Sequence, residues 1–389
     1  MAINDFLIYE FRPLCLTLDR IGPFQQKMYE IDLTDKDLRP CNFFMLVAAN
    51  GFGKTTILDI MSCLLGMMDD QQPLRLGHED LDNQSGRAQL DVFLRCYWEG
   101  KDQQIVLSLL GGNLSEDLSL KIWAKDDLGK HRATSWHRVG YNRRVSGTLR
   151  PLATHKSDPF VADLLGFIQF NKGQVPTAFG QSAFPAPTTL SFSAYRDIPR
   201  MNVENTRRVI EQPRHWGYQS LHKFSAHSVD WHYSLDNLLV WLKWMDDGRF
   251  EQACKLINDK VFSGTEKYLK DIQRDPPQAI VQVNNGAAKS HSLSRLSSGE
   301  KNLVQLFLRI GAHMTQNTIL LIDEFDVHLH IRWQFKLLNA LKELAAQKDA
   351  NLTVILTTHS TEILETYSEN LDINEEGLIK GGHFINDLK

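Results

Sequence analysis

The chain has 389 residues, a formal net charge of −4, 42% hydrophobic and 23% charged residues. These values lie near the soluble globular average and exclude bulk disorder, a collagen-like repeat and a disulfide mini-protein. At roughly 150 residues per domain, the length fits two or three units, or one domain with a large insertion.

Residues 16–20 and 28–33 read as two strands joined by the turn Gly22-Pro23-Phe24. Residues 42–49 (NFFMLVAA) are almost continuously apolar, as in a strand buried on both faces. A glycine-bearing loop follows at once. Then comes a helix whose Ile57, Leu58, Met61, Leu64 and Leu65 recur at helical spacing. Residues 88–125 alternate and carry the turn signals Glu99-Gly100 and Gly111-Gly112-Asn113, which predict antiparallel strands in a sheet of their own. Residues 126–190 are rich in Gly, Pro, Ser and Thr and support only a loose assignment. Residues 189–195 (TLSFSAY) predict another core strand.

Residues 201–275 predict mostly helix. Leu235, Leu238, Leu239, Leu242 and Met245 form an apolar face, Trp231, Trp241 and Trp244 lie nearby, and Pro276-Pro277 is the stop. No heptad is sustained, so no coiled coil is expected. The strand 279–283 (AIVQV) and the turn Asn284-Asn285-Gly286 follow. The last hundred residues alternate helix and strand, the βα pattern of a parallel sheet. The chain shows no internal repeat and no long low-complexity tract. The predicted fold class is α/β: a parallel or mixed core sheet, an antiparallel β lobe and a helical insertion. The expected division is 1–195, 196–278 and 279–389.

No apolar run approaches the ~18 residues of a membrane span. The start, Met1-Ala2-Ile3-Asn4-Asp5, lacks the basic-then-apolar pattern of a signal peptide. Cys15, Cys41, Cys63, Cys96 and Cys254 are odd in number, widely spaced and without a CxxC. They read as free thiols of a reducing compartment, and the expectation is a cytoplasmic protein without a membrane role.

Four motifs carry chemistry. Ala48-Ala49-Asn50-Gly51-Phe52-Gly53-Lys54-Thr55-Thr56 fits the P-loop pattern, with Ala48 where the first glycine stands. Phosphate binding needs backbone N–H groups turned inward, which Gly51 and Gly53 permit, and a helix N-terminus behind them. Lys54 is expected at the β- and γ-phosphates of ATP, and Thr55 at Mg²⁺. The bland alternative is a glycine turn before a helix. Residues 318–324 (TILLIDE) end an apolar strand in two carboxylates. Asp323 is the expected Mg²⁺ partner and Glu324 the residue that polarises the attacking water.

Leu296-Ser297-Ser298-Gly299-Glu300-Lys301 precedes a helix with Leu303, Leu306, Phe307 and Ile310 on one face. Ser297 and Glu300 fit a capping box, so the motif reads either as a well-capped helix or as a signature meeting the γ-phosphate of an ATP held by a second subunit. Residues 354–359 (VILTTH) form a strand ending in His359, 35 residues after Glu324.

In this order the motifs resemble an ABC-type ATPase. The segments LSSGEK, LLIDEFDVHLHIRWQ and TTHS are similar to compact SMC/RecF-like ATPases, in particular the ATP-binding halves of OLD-family and related bacterial anti-phage defence proteins. In that group the Asp-Glu is followed by Pro-Glu-x-His-Leu-His-Pro. Phe325, Asp326 and Ile331 depart from this pattern, while His328, Leu329 and His330 agree. A metal site on those two histidines has little support, because the resemblance places them in the loop that crosses to the partner subunit. Lys54 and Gly299 lie 245 residues apart, longer than expected of a transporter subunit and much too short for an SMC-type coiled coil.

The resemblance implies ATP and Mg²⁺ as cofactors, held by Asn50, Gly51, Gly53, Lys54, Thr55 and Thr56, with Asp323 as a metal partner. It implies Lys54, Glu324 and His359 as catalytic residues, His359 sensing the γ-phosphate, with Ser298 and Gly299 reaching the nucleotide of a second copy. A glutamine should couple Mg²⁺ to the inserted lobe: Gln169 first, Gln174 next, Gln89 more remotely. The implied assembly is a homodimer or higher homo-oligomer with ATP sandwiched between subunits.

Residues 131–214 hold 12 Lys and Arg against 5 Asp and Glu. Arg138, Arg143, Arg144, Arg150, Arg200, Arg207, Arg208 and Arg214, with Trp136, Tyr141 and Trp216 interleaved, read as a nucleic-acid surface, as a solvated face or as a surface for an acidic protein partner. Arg196, after the 189–195 strand, reads as facing the nucleotide or DNA or as a surface arginine. OLD-type nucleases carry a Toprim domain after the ATPase, and the 30 residues after His359 are too few for one. The expected function is therefore a nucleotide-dependent switch. It is the sensor ATPase of a bacterial anti-phage defence system, PARIS-like or Septu-like, controlling a separately encoded nuclease or toxin. The alternative is a RecF-like repair factor that clamps DNA when ATP binds. A transporter subunit ranks third.

Overall fold

The computed structural model describes residues 6–69, 85–114, 119–143, 149–152, 157–175, 184, 186–194, 217–224, 235–274, 277–283, 289–327, 329–368 and 376–385. Its centre is a six-stranded, wholly parallel sheet. The strands are β3 (Phe43–Val47), β8 (Thr189–Phe192), β9 (Leu221–Phe224), β13 (Ile319–Ile322), β14 (Thr353–Thr358) and β15 (Lys380–Phe384). Their order is β15-β3-β14-β13-β8-β9. Every residue of β3, β13 and β14 is buried. On β3, Phe43, Met45 and Val47 join one apolar cluster, and Phe44 and Leu46 join the other. A strand covered on both faces has no solvent side, so its sequence is an apolar run without alternation.

The second sheet holds β1 (Leu7–Asp19), β2 (Tyr29–Asp32), β4 (Arg87–Trp98), β5 (Lys101–Gly112), β6 (Ser135–Arg143) and β7 (Leu149–Pro151), ordered β2-β1-β4-β5-β6-β7. All its pairs are antiparallel except β5 with β6. The Glu99-Gly100 turn closes the β4–β5 hairpin, with both residues at positive φ. Helix α1 (Lys54–Gly66) touches β4 and β5 on one side and β8, β9 and β13 on the other, so it lies between the two sheets. Burying each of its large apolar side chains contributes about 1.5–3 kcal/mol.

The far face of the core sheet is covered by α4 (Leu235–Met245), α5 (Arg249–Lys260), α6 (Ser298–His313) and α7 (Ile331–Ala345). The remaining helices are α2 (Lys125–Lys130), α3 (Pro159–Asn171) and α8 (Thr361–Ser368). The architecture is the expected one: a parallel core sheet with helices and a separate, mostly antiparallel sheet.

The stretch read as mostly helical needs correction. Within 196–278, α4 and α5 are helices, but β9 is the edge strand of the core sheet. Lys267–Arg274 is a strand (β10), paired with β11 (Pro277–Val283), which also pairs with β12 (Lys289–Ser292). A bulge between Leu269 and Asp271 breaks the alternation that would have marked β10 as a strand. Asn258 of α5 holds that strand in place: its side chain accepts from the Leu269 N–H at 2.7 Å and donates to the Leu269 carbonyl at 3.0 Å. Trp231 and the turn 284–286 lie outside the described residues.

All five cysteines are buried, and none is in a disulfide. Among the described residues, no helix is long and apolar enough to cross a membrane.

Candidate functional site

In a parallel sheet, every strand delivers its C-terminal end to the same edge, and ligands sit outside that edge. Here β3 delivers Ala48 and the P-loop, β13 delivers Asp323 and Glu324, β14 delivers Thr357, Thr358 and His359, and β8 delivers Ser193. Main-chain bonds hold these ends together. The Ala48 N–H donates to the Thr358 carbonyl at 3.4 Å, the Asp323 N–H to Phe192 at 2.9 Å, and the Phe325 N–H to Thr357 at 3.2 Å.

Within the loop, Gly51 and Gly53 stand at φ 84° and 85°, the left-handed region that glycine tolerates. Backbone that switches hand in this way turns N–H groups into a concave anion nest. Ala48 is not among the positive-φ residues, so the alanine in place of glycine strains nothing. Gly53 has a second reason to be glycine: a Cβ there would stand 2.6 Å from Pro23 and 2.9 Å from the Phe24 ring. The turn between β1 and β2 thus supports the loop from behind.

Lys54 is 5% exposed, and its Nζ donates to the carbonyls of Ala48 at 2.9 Å and Ala49 at 3.1 Å. Among the described residues it forms no ion pair with a carboxylate. A buried ammonium balanced only by carbonyl dipoles suits a polyanion, because burying an uncompensated charge is costly. Asn50, Gly51 and Thr55 are exposed at the mouth, and Thr56 packs under Gly22.

Asp323 is 4% exposed and accepts from Thr55 Oγ1 at 2.7 Å through Oδ2 and from Thr357 Oγ1 at 2.7 Å through Oδ1. Glu324, half-buried, has φ 41°, uncommon for a side chain with a Cβ. A hydroxyl beside a carboxylate is a hard-oxygen pair, the donor set Mg²⁺ prefers when substrate phosphates and water complete its shell. Thr55 and Asp323 therefore fit the expected metal. No group of three or more His, Cys, Asp or Glu able to cage a metal occurs among the described residues. His330 caps α7 by accepting from the Arg332 N–H, and His328 lies outside the described residues.

The signature segment starts α6. Ser297 is the N-cap, and Glu300 completes a capping box by accepting from the Ser297 N–H at 2.9 Å. Burial pushes the Glu300 carboxyl up, but Lys267 at 2.8 Å and the bonds from Ser297 bring it below its ordinary value. Ser298 is exposed, and buried Gly299 leaves no room for a side chain, since a Cβ would stand 3.0 Å from Trp333. The capping-box reading is therefore correct as far as it goes. His359 is exposed just past β14.

The glutamine expectation is corrected. Gln169 is exposed in the last turn of α3, and its carbonyl accepts from the Lys172 N–H. Lys172 pairs at 2.6 Å with Asp69, just beyond the C-terminal end of α1. The P-loop is at the other end of that helix, about 20 Å away at 1.5 Å per residue. Gln174 lies in the same place, bonded to the Phe170 carbonyl at 2.9 Å. Gln89 is fully buried in the second sheet. None of the three stands beside Thr55 and Asp323. β13 is flanked by β14 and β8, and the register of β8 carries on past Phe192, opposite Ile322, to Ser193.

Of the arginines, Arg138 lies 5.0 Å over the Trp136 ring on β6, and Arg150 is exposed on β7. Arg143 ends β6, and Arg144, Arg196, Arg200, Arg207, Arg208, Arg214 and Trp216 lie outside the described residues.

Three comparisons bear on this site. Residues 184–365 match the family described as "AAA domain, putative AbiEii toxin, Type IV TA system". The "Retron Ec83 probable ATPase" of Escherichia coli is 33% identical over 122 residues, 28% of this chain and 20% of that protein. The UvrABC system protein A of Thermus thermophilus is 31% identical over 137 residues, 34% of this chain and 14% of that protein. The chain thus covers a fifth or less of the length of these relatives. Among solved structures, the Smc head bound to the C-winged helix domain of ScpA aligns over 91% of this chain and 92% of that one, with 13% identity and a TM-score of 0.43.

Proposed function

We propose that this protein is an ATP-binding and ATP-hydrolysing switch of the ABC, SMC-like kind. The observation that carries the reading is the convergence of the Gly51–Thr55 loop with Asp323 and Glu324, joined by Thr55 Oγ1 to Asp323 Oδ2 at 2.7 Å. Backbone N–H groups of the loop and the α1 N-terminus hold the phosphates, and Lys54 neutralises them. Thr55 and Asp323 would hold Mg²⁺, which supplies charge neutralisation at the transferring phosphoryl group. Glu324 orients the attacking water and takes its proton.

Each copy carries one P-loop and one signature. The exposed Ser298 at the start of α6 then serves the nucleotide of a second copy, and His359 senses its γ-phosphate. Two ATPs close a homodimer, and hydrolysis loosens it. Its cellular role is the sensor ATPase of an anti-phage defence system, controlling a separately encoded nuclease or toxin. Support for an ATPase comes from the relative named "Retron Ec83 probable ATPase".

Glu324→Gln tests the chemistry. Phosphate release is expected to fall by at least about 10²-fold, the ordinary worth of a general base, while ATP affinity is kept and an ATP-bound dimer accumulates in gel filtration. Normal turnover in that variant would refute the assignment. Ser298→Arg is expected to stop turnover with the P-loop still filled, and intact activity would remove the composite site. The effector reading predicts a stable complex with the product of an adjacent gene. Arg138 over Trp136 and the exposed Arg150 favour a second reading, an ATP-dependent DNA clamp. Strong stimulation of turnover by duplex DNA selects it.

A further inference from the structure

The end of β14 touches more of the site than any of the sequence motifs indicated. Thr357 is fully buried. A threonine hydroxyl has one proton to give and lone pairs to accept with. Thr357 gives its proton to Asp323 Oδ1 at 2.7 Å and accepts the Glu324 N–H at 2.7 Å. Its main-chain carbonyl accepts the Phe325 N–H at 3.2 Å. One residue therefore grips three consecutive residues of the neighbouring strand end, and two of the three are the carboxylates assigned to metal and water.

The grip has two physical effects. With Thr357 on Oδ1 and Thr55 on Oδ2, the Asp323 carboxylate is held at both oxygens, so its plane cannot rotate without breaking a bond. Glu324 is held at φ 41°, a strained conformation that a side-chain-bearing residue keeps only where its surroundings enforce it. The bond from its N–H to Thr357 is part of that enforcement. Thr358, next in sequence, extends the same splint. Its carbonyl accepts from the Ala48 N–H at the start of the P-loop, and its hydroxyl donates to Asp326 at 2.9 Å and accepts from the Ser360 N–H at 3.0 Å.

We infer that Thr357 is a positioning residue that fixes the Asp323 carboxylate and the Glu324 backbone in one frame, so that metal ligand and base are set together. The inference rests on the roles given to Asp323 and Glu324 above. It differs from a packing role in what it predicts, because only the hydroxyl matters and the metal-dependent step feels its loss.

The test uses the 389-residue chain and four variants. Thr357→Val replaces the hydroxyl by a methyl of similar size, and Thr357→Ser keeps the hydroxyl. Loss of a group that orients a metal ligand typically costs 10–100-fold in affinity or rate. Thr357→Val is therefore expected to lower kcat 10–100-fold, with KM for ATP within about 3-fold of wild type. The binding readout is independent of turnover: affinity for a non-hydrolysable ATP analogue is measured with Mg²⁺ and in EDTA. The part of the affinity that depends on Mg²⁺ is expected to fall about 10-fold in Thr357→Val and to stay unchanged in Thr357→Ser. Should the valine variant fail to fold, Thr357→Ala removes the same hydroxyl and is read in the same way.

A valine or alanine variant with wild-type kcat and wild-type Mg²⁺ dependence overturns the inference. So does a serine variant as impaired as the valine one, or a loss that is equal with Mg²⁺ and in EDTA, since either would mark a packing role. Glu324→Gln separates the two levels. If it turns over normally, the site assignment itself fails. If it is inactive while Thr357→Val is normal, only the role of Thr357 falls.

Discussion

Asp323 and Asp91 are both buried carboxylates that accept from hydroxyls, yet their surroundings give them opposite uses. Asp91, fully buried in the middle of β4, accepts from Ser108 Oγ and from Gln89 Nε2 at 2.8 Å. Trp136 Nε1 donates to the same Ser108 at 2.8 Å. Gln89 also clamps the chain that crosses the sheet, accepting from the N–H groups of Leu120 and Lys121 and donating to the Lys121 carbonyl. All of these partners come from the sheet or the segment that covers it, and burial pushes the Asp91 carboxyl up to about 6. Asp323 stands instead at a strand end, beside a glycine loop with two left-handed residues and a carboxylate at positive φ. A carboxylate with hydroxyl partners is thus not a site by itself. The open edge of a parallel sheet and its strained neighbours make the difference.

Four variants sharpen or break this contrast. Lys54→Ala should weaken ATP binding by roughly 10³-fold, within the range seen when a donor to a charged centre is removed. Binding of a fluorescent ATP analogue measures it, and retained affinity would move the phosphate site away from the P-loop.

Asp91→Asn should act on stability and its pH dependence. A carboxyl raised from 3.8 to about 6 binds a proton in the folded chain that the unfolded chain has released. Stability therefore falls as pH rises from below 4 to above 6, by about 3 kcal/mol over the whole titration at 1.36 kcal/mol per unit, with about 2 kcal/mol of it between pH 4.5 and 7. Urea midpoints at pH 4.5 and 7 should show that drop in the wild type and a shallower one in Asp91→Asn. Equal drops in both proteins would mean that Asp91 titrates like an exposed residue.

Gly53→Ala comes next. Its positive φ and the contacts of its new Cβ with Pro23 and Phe24 should cost about 2 kcal/mol, read from thermal unfolding. An unchanged midpoint would show that the turn behind the loop yields freely. Ala48→Gly is the smallest. It should destabilise by about 1 kcal/mol, through a looser unfolded chain and the loss of a buried methyl, and leave ATP affinity untouched. Tighter binding would show that the alanine restricts the loop.

The motifs at the sheet edge were legible because each is local: a strand, a turn and a helix start adjoin in sequence, as in residues 43–57. The apolar runs of β3, β13 and β14 were legible because burial on both faces leaves no polar alternation. β10 was not, because a bulge breaks its period and Asn258, nine residues before it, supplies its missing bonds. The glutamine was misplaced for a related reason. Gln169 ends an apolar stretch, but Asp158 caps that stretch as a helix by accepting from the Phe160 and Val161 N–H groups, and the helix carries Gln169 away from the sheet edge. Thr357 was invisible because its importance comes from the strand order, and no residue type announces it.

The position of β3 between β14 and β15 has a consequence for the order of events during synthesis. Both strands that flank the P-loop's own strand lie some three hundred residues after it, so the loop leaves the ribosome long before they do. Contacts so far apart in sequence close slowly, after most of the chain has been made. The nascent loop therefore lacks Asp323 opposite Thr55 and the Thr358 carbonyl behind Ala48. On the function proposed above, a nucleotide grip completed only by late strands would keep half-made chains from capturing ATP, so that only a folded chain could be switched on.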